Sequence, residues 1–365
     1  MSCHRLPTRR TLLKAGSLAM ALPALTGCLR KTSNATPPPT RPDALQRTTL
    51  LAAATSGGSL FVAGERGALY VSTDEGGTWT PRVSGTSVTL TALATQGEEV
   101  LAVGHAGTIV RSADTGTTWA VVLDGLQIGR LAQDEVSALL ASNPPVVEQA
   151  DKLKARAQRL ITDGADKPLL DVAFSSERAA TAVGAYGILM QTSDGGETWK
   201  SRIASVDNPK ELHFNAIAVK GALQIIVGEQ GICLRSEDEG KSYQRVSLPG
   251  AASLFSVAWS SKAEVWCGGL NGRLLRSANR GASYEPVDLG LSETITAIAP
   301  LADGRMVLGQ VSGQLTVIEP QSLRHRSLSW SEVPLLSDLA VAGDQVLIGV
   351  GTRGPRRMPL TDLSL

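Results

Sequence analysis

The chain has 365 residues, a formal net charge of +1, 4% aromatic residues and 37 glycines. So balanced a charge excludes a global pull toward nucleic acid or acidic lipid. The glycines ask for many turns, and one large all-β domain accommodates this length.

The chain opens with an address. Arg9-Arg10, then Thr11-Leu12-Leu13-Lys14 and the apolar run 15–24, reads as a twin-arginine export signal. The run is too short to cross a membrane, which takes about 20 apolar residues. It ends in Leu25-Thr26-Gly27-Cys28, a lipoprotein cleavage box, so Cys28 is expected to be the acylated first mature residue. Its acyl chains would anchor the protein in a lipid bilayer. Leu29 follows, and by analogy with lipoproteins of Gram-negative bacteria this favours the periplasmic side of the outer membrane. Residues 29–43 are polar and proline-rich and read as a disordered tether. The remainder, 44–365, reads as one domain.

A turn motif, Ser/Thr-x-Asp-x-Gly-x-Thr-Trp, recurs through that domain. Full copies are Ser72, Asp74, Gly76, Trp79; Ser112, Asp114, Gly116, Trp119; and Thr192, Asp194, Gly196, Trp199. Worn copies keep Asp238 and Gly240 with Tyr243, and Asn279 and Gly281 with Tyr284. The short side chains accept hydrogen bonds from nearby backbone N–H groups and fix a turn. The glycine takes φ > 0 at no steric cost, and the aromatic ring packs at the start of the next strand.

A second unit precedes each box: apolar strand, Gly-x-x-Gly, apolar strand. Its final glycine, or its equivalent, falls at 67, 107, 187, 231, 272, 313 and 354. The steps are 40, 80, 44, 41, 41 and 41 residues. A period near 40 residues is that of a four-stranded propeller blade. The expected fold is therefore all-β, a seven-bladed propeller. The double step holds no eighth blade, because 126–168 carries neither motif. A helical insertion is expected there, from a short helix at Asp134–Leu140 and an amphipathic one at 143–164. Leu45–Thr49 is expected to supply an outer strand to blade seven and close the ring. Cys233 and Cys267 fit two buried free thiols on separate strands, although export permits a disulfide.

Antiparallel order puts the boxes on one face. The Gly-x-x-Gly turns and the blade-to-blade loops, including the insertion, lie on the other. The second face gathers Glu65, Arg66, His105, Tyr186, Glu229, Gln230, Asn271 and Arg353 as a candidate partner-binding surface. Arg111, Arg235 and Arg276 occupy one repeated position before the box serine and form a secondary basic stripe. No catalytic set, metal-ligand spacing, phosphate loop or nucleophile elbow stands out, and no cofactor is expected.

The boxes resemble the Asp-box, or bacterial neuraminidase repeat. With the export signal, the lipobox and seven repeats, the region 48–360 resembles the photosystem II stability/assembly factor family. That resemblance implies a non-enzymatic, monomeric scaffold that binds a membrane-protein subunit, in photosynthesis or, elsewhere, beside a resistance–nodulation–division type exporter. The insertion departs from the family pattern. The alternative is a sialidase-like glycan-active enzyme or lectin, but the Phe-Arg-Ile-Pro motif of sialidases is absent and no facing carboxylate pair is evident.

Overall fold

A computed structural model describes residues 44–142, 147–343 and 345–365. The export signal, Cys28, the tether and residues 143–146 at the expected start of the second helix lie outside the described residues.

The described chain builds seven antiparallel sheets in sequence order, six of four strands and one of three. Each blade starts at the centre. The inner strands are Leu50–Ser56, Leu90–Gln96, Leu169–Phe174, Phe214–Lys220, Leu254–Trp259, Ile295–Pro300 and Asp338–Ala342. Each contacts the next, and the last contacts the first, so the ring is closed. The fold is a seven-bladed β-propeller. Its core is divided in the same way: one cluster of buried side chains fills each of the seven joints between neighbouring blades. The outermost strands are only two residues long in four blades, for example Thr80–Pro81 and Lys200–Ser201, which leaves little edge for foreign pairing.

The Gly-x-x-Gly unit has two separate reasons for its glycines. A Cβ on Gly64 would sit 2.1 Å from the carbonyl oxygen of Thr49. That carbonyl accepts the Glu65 N–H at 3.0 Å, where the inner strand bulges. The second reason is the turn itself. Arg66 and Gly67 both take left-handed backbone, φ 57° and 70°, and Ala68 N–H donates to Glu65 O at 3.0 Å. This is a type I′ turn, the geometry that matches strand twist. Ala106, Tyr186, Gln230 and Asn271 repeat the positive φ at the third position.

Two expectations are corrected. Leu45–Arg47 is a 3-10 turn, not a strand, and blade seven has three strands, Asp338–Ala342, Val346–Val350 and Arg356–Pro359. The cause is local: Thr48 O accepts the Gly354 N–H at 3.1 Å, and Leu50 N–H donates to Gly351 O at 2.9 Å. These bonds hold the entering chain on the turn of blade seven and away from its edge. The second correction is the length of the first helix, α1, which runs Gly125–Ser142 and not from 134. Asp124 starts it with a reciprocal cap: Gln127 N–H donates to Asp124 Oδ1 and Asp124 N–H to Gln127 Oε1, both at 2.9 Å. The second helix, α2, runs Val147–Asp163. Ile128, Ala132 and Val136 of α1 and Ala157 and Leu160 of α2 join the core between blades two and three. Cys233 and Cys267 are buried and free, on strands of adjacent blades.

Candidate functional site

The boxes close as expected from their side chains. Ser72 Oγ donates to Asp74 Oδ1 at 2.7 Å and accepts the Gly76 N–H at 2.9 Å. Thr78 gives its N–H and hydroxyl to the two Asp74 oxygens at 2.8 and 2.7 Å. Asp114, Asp194 and Asp238 repeat the set, and Asn279 keeps it through Ser277 and Ser283. The Thr78 N–H is the main reason the Asp74 carboxyl is held down to about 2. In Asp194 and Asp238 partial burial opposes this, and the bonds from Thr198 and Ser242 outweigh it to give about 2 again. Trp119 and Trp199 are 4% exposed and donate their indole N–H to the box glycine carbonyl, whereas Trp79 is half-buried.

The three arginines of the stripe are engaged. Arg111 Nε–H donates to Gly195 O in the box of the next blade at 2.8 Å, and Nη2 pairs with Glu99 at 2.7 Å. Arg235 likewise reaches Arg280 O of the next box and pairs with Glu237. Arg276 pairs with Glu264 at 2.5 Å and lies over the Trp266 ring. Their placement makes them braces within and between blades.

The opposite face carries the type I′ turns, and most of the candidate residues on it point outward. Arg66, His105, Tyr186, Gln230, Asn271 and Arg353 are exposed. Glu65 and Glu229 are not free: their carboxylates accept the Thr49 and His213 N–H groups at 3.1 Å and lock their own turns. The Tyr186 ring tilts against His213, centroids 4.9 Å apart, with Lys167 Nζ 4.9 Å above it. Burial opposes the Lys167 charge, but Asp166 and Asp163 outweigh it and raise the pKa.

The insertion is bolted to this face. Arg156 of α2 is 7% exposed; it donates to Ile203 O at 3.1 Å, Tyr186 O at 3.1 Å and Gly187 O at 2.9 Å. Burial lowers its pKa to about 10. Glu135 of α1 accepts Ser201 Oγ at 2.7 Å and Ala204 N–H at 3.1 Å.

The sequence reading missed two features of the face. The first is apolar. Leu126, Tyr186, Phe255, Leu270, Val311 and Leu335 are exposed and all lie here. Among the described residues the one other large apolar side chain so exposed is Val147, at the start of α2. Leu270 and Val311 stand where other turns carry Glu or His, and that contrast was a usable signal.

The second feature is a ring of links around the central channel. Thr91 Oγ1 donates to Leu169 O at 2.7 Å, Asn215 Nδ2 to Leu254 O at 2.8 Å and Thr296 Oγ1 to Leu336 O at 2.9 Å. Asp171 accepts the Ile217 N–H at 2.7 Å and Asp338 the Ala53 N–H at 3.0 Å. Each link joins one blade to the next, and Asp338 spans the closure. Among the described residues no three His, Cys, Asp or Glu side chains converge as a metal site.

Known proteins resemble this chain in sequence and in fold. Residues 150–253 match the family model described as photosynthesis system II assembly factor YCF48. The photosystem II assembly lipoprotein Ycf48 of Synechococcus sp. (strain CC9902) is 32% identical over 102 residues, 26% of this chain and 30% of the relative. The chloroplastic photosystem II stability/assembly factor HCF136 of Arabidopsis thaliana is 31% identical over 107 residues, 27% of this chain and 26% of the relative. The chain thus matches under a third of the length of these relatives. A structure described as YCF48 bound to D1 peptide superposes with TM-score 0.61 at 14% identity, over 86% of this chain and 93% of the other. Virginiamycin B lyase of Staphylococcus aureus superposes as well, with TM-score 0.63 at 9% identity over 85% and 94%. At such identities superposition speaks for the propeller alone, and a propeller hosts enzymes and non-enzymes alike. The Asp boxes, the seven-bladed ring and the sequence match over residues 150–253 make this chain similar to the photosystem II assembly factor-like propellers.

Proposed function

We propose that this protein is a non-enzymatic docking propeller that holds a membrane-protein subunit during assembly or stabilisation of a membrane complex. One observation carries the reading: among the described residues, all the large apolar side chains left exposed but Val147 gather on the face of the Gly-x-x-Gly turns and the blade-to-blade loops. Exposed apolar groups on one surface, rimmed by polar ones, mark interaction sites. The opposite face spends its polar side chains on its own turns and braces. The relatives support the role, since they are assembly factors and one related structure is described as bound to a D1 peptide. Export, acylation at Cys28 and an outer-membrane location complete the reading, and the name of the Synechococcus relative supports a lipoprotein. In a non-photosynthetic host the client would be another membrane assembly, such as an exporter.

The test is co-purification from detergent-solubilised membranes of the host. Wild type should bring down an integral membrane subunit. A Tyr186→Ala, Leu335→Ser variant should lose it, and Thr78→Ala on the box face should keep it, each folded by thermal melt. Equal capture by all three proteins would sink the reading.

A further inference from the structure

The mouth of the central channel opens on the same face. It forms a cavity of about 160 Å³ lined by Asp171, Asp338, Asn215, Phe255, Ser256 and Thr296 among others, and no Lys, Arg or His lines it. The two carboxylates come from blades three and seven. Asp171 Oδ1 accepts the Val172 N–H at 2.8 Å and Oδ2 the Ile217 N–H at 2.7 Å. Asp338 Oδ1 accepts the Leu339 N–H at 2.8 Å and Oδ2 the Ala53 N–H at 3.0 Å. Each oxygen keeps a lone pair, and among the described residues no cation offsets either charge.

A second observation is independent of these acids. Ser256 holds the equivalent ring position in blade five, is 7% exposed, and its hydroxyl has no partner. A buried polar group without a partner is costly, and a ligand that supplies one relieves the cost. The Phe255 ring, 37% exposed, also lines the mouth. Leu270, Val311 and Leu335 form an apolar collar on blades five to seven.

Resting on the docking role argued above, we propose that this mouth receives a cationic side chain, lysine or arginine, from the docked partner. The flanking residues of the partner are apolar and lie on the collar. An ammonium or guanidinium group is all donors, and it meets two carboxylates, an orphan hydroxyl and an aromatic ring here. A bare divalent ion fits less well, because Ca²⁺ takes about six to eight oxygens and Mg²⁺ about six. The cavity is also smaller than the roughly 300–1,000 Å³ typical of small-molecule sites, so an end group fits it better than a whole metabolite.

Burial, joined for Asp171 by the neighbouring charge of Asp338, raises these carboxyls to about 7 and about 6. No other titratable group lines the mouth. The cation needs the charged acids, so capture strengthens as pH rises through that range and fades toward pH 5.

The experiment uses the full mature chain and labelled peptides Leu-Leu-Lys-Leu-Leu amide and its norleucine counterpart, read by fluorescence anisotropy. The lysine peptide should bind about tenfold tighter than the norleucine peptide at pH 8, and about equally at pH 5. Asp171→Asn with Asp338→Asn should abolish the preference. Because that variant alters two blade links, Phe255→Leu is the second probe; it should weaken the lysine peptide about threefold and leave the norleucine peptide unchanged. Equal binding of the two peptides to wild type at pH 8 overturns the proposal, as does a preference that survives in the folded double variant. Displacement of the lysine peptide by millimolar Ca²⁺ at constant ionic strength overturns it too, in favour of a metal site. None of these results bears on capture of the client by Tyr186→Ala, Leu335→Ser, so the docking role stands or falls separately.

Discussion

The two channel aspartates should make this propeller lose stability as pH rises through neutrality, unlike most folds. Their folded values lie at about 7 and about 6 against an ordinary 3.8. A carboxyl whose folded pKa is raised favours the folded state when protonated. That contribution is complete below about pH 4, shrinks as pH climbs, and is gone above about pH 7. At about 1.4 kcal/mol per unit, the full swing is about 4 kcal/mol for Asp171 and about 3 kcal/mol for Asp338, shared as one coupled pair. The box aspartates, held at about 2, act the other way and lose their contribution only as pH falls below about 4. Stability should therefore peak near pH 4–5 and drop by several kcal/mol by pH 8, as urea midpoints at unchanged slope would report. Asp338→Asn should flatten part of the decline. It should also be weaker than wild type at pH 5, because both Asp338 oxygens accept N–H groups, whereas an amide keeps one acceptor oxygen and sets its NH₂ against the other N–H. Stability that holds level or rises from pH 5 to pH 8 would refute the reasoning.

Two further outcomes follow from named contacts and a third from the expected acylation of Cys28. Trp199→Ala removes a ring that is 4% exposed and should cost about 3–5 kcal/mol in urea unfolding, with the half-buried Trp79→Ala costing less. Arg156→Met cuts three bonds from α2 to the blades, so hydrogen exchange should quicken in 147–163 and around Tyr186 while blades one and five stay protected. Cys28→Ala should abolish incorporation of labelled fatty acid and strand or release the protein.

Much of the architecture is legible in the sequence because the propeller is written as a repeat. A box and a Gly-x-x-Gly turn each demand special residues, and their spacing counts the blades. Signals carried by one residue were harder to read. Asp124 and Gln127 form a helix cap directly after a strand, where the apolar pattern of the strand masks the start of α1 nine residues before Asp134. Leu45–Thr49 was assigned to an edge because a ring needs closure, yet the closing contacts are backbone bonds to a turn and an aspartate link at the centre. Such bonds leave no residue pattern. The site was half legible for the same reason. Turn tips follow from the motif, but Glu65 and Glu229 turn inward to bond backbone, and Leu335 beside Pro334 reads as core until the loop is built.

The central claim is that the Gly-x-x-Gly face meets the client. A photo-crosslinking amino acid placed singly at Leu335, Tyr186, Thr78 or Ser242 in the protein expressed in its host tests it most directly. The account predicts a discrete adduct with an integral membrane subunit from Leu335 and Tyr186 and none from the two box positions. Adducts from Thr78 or Ser242, with none from Leu335 or Tyr186, would contradict it.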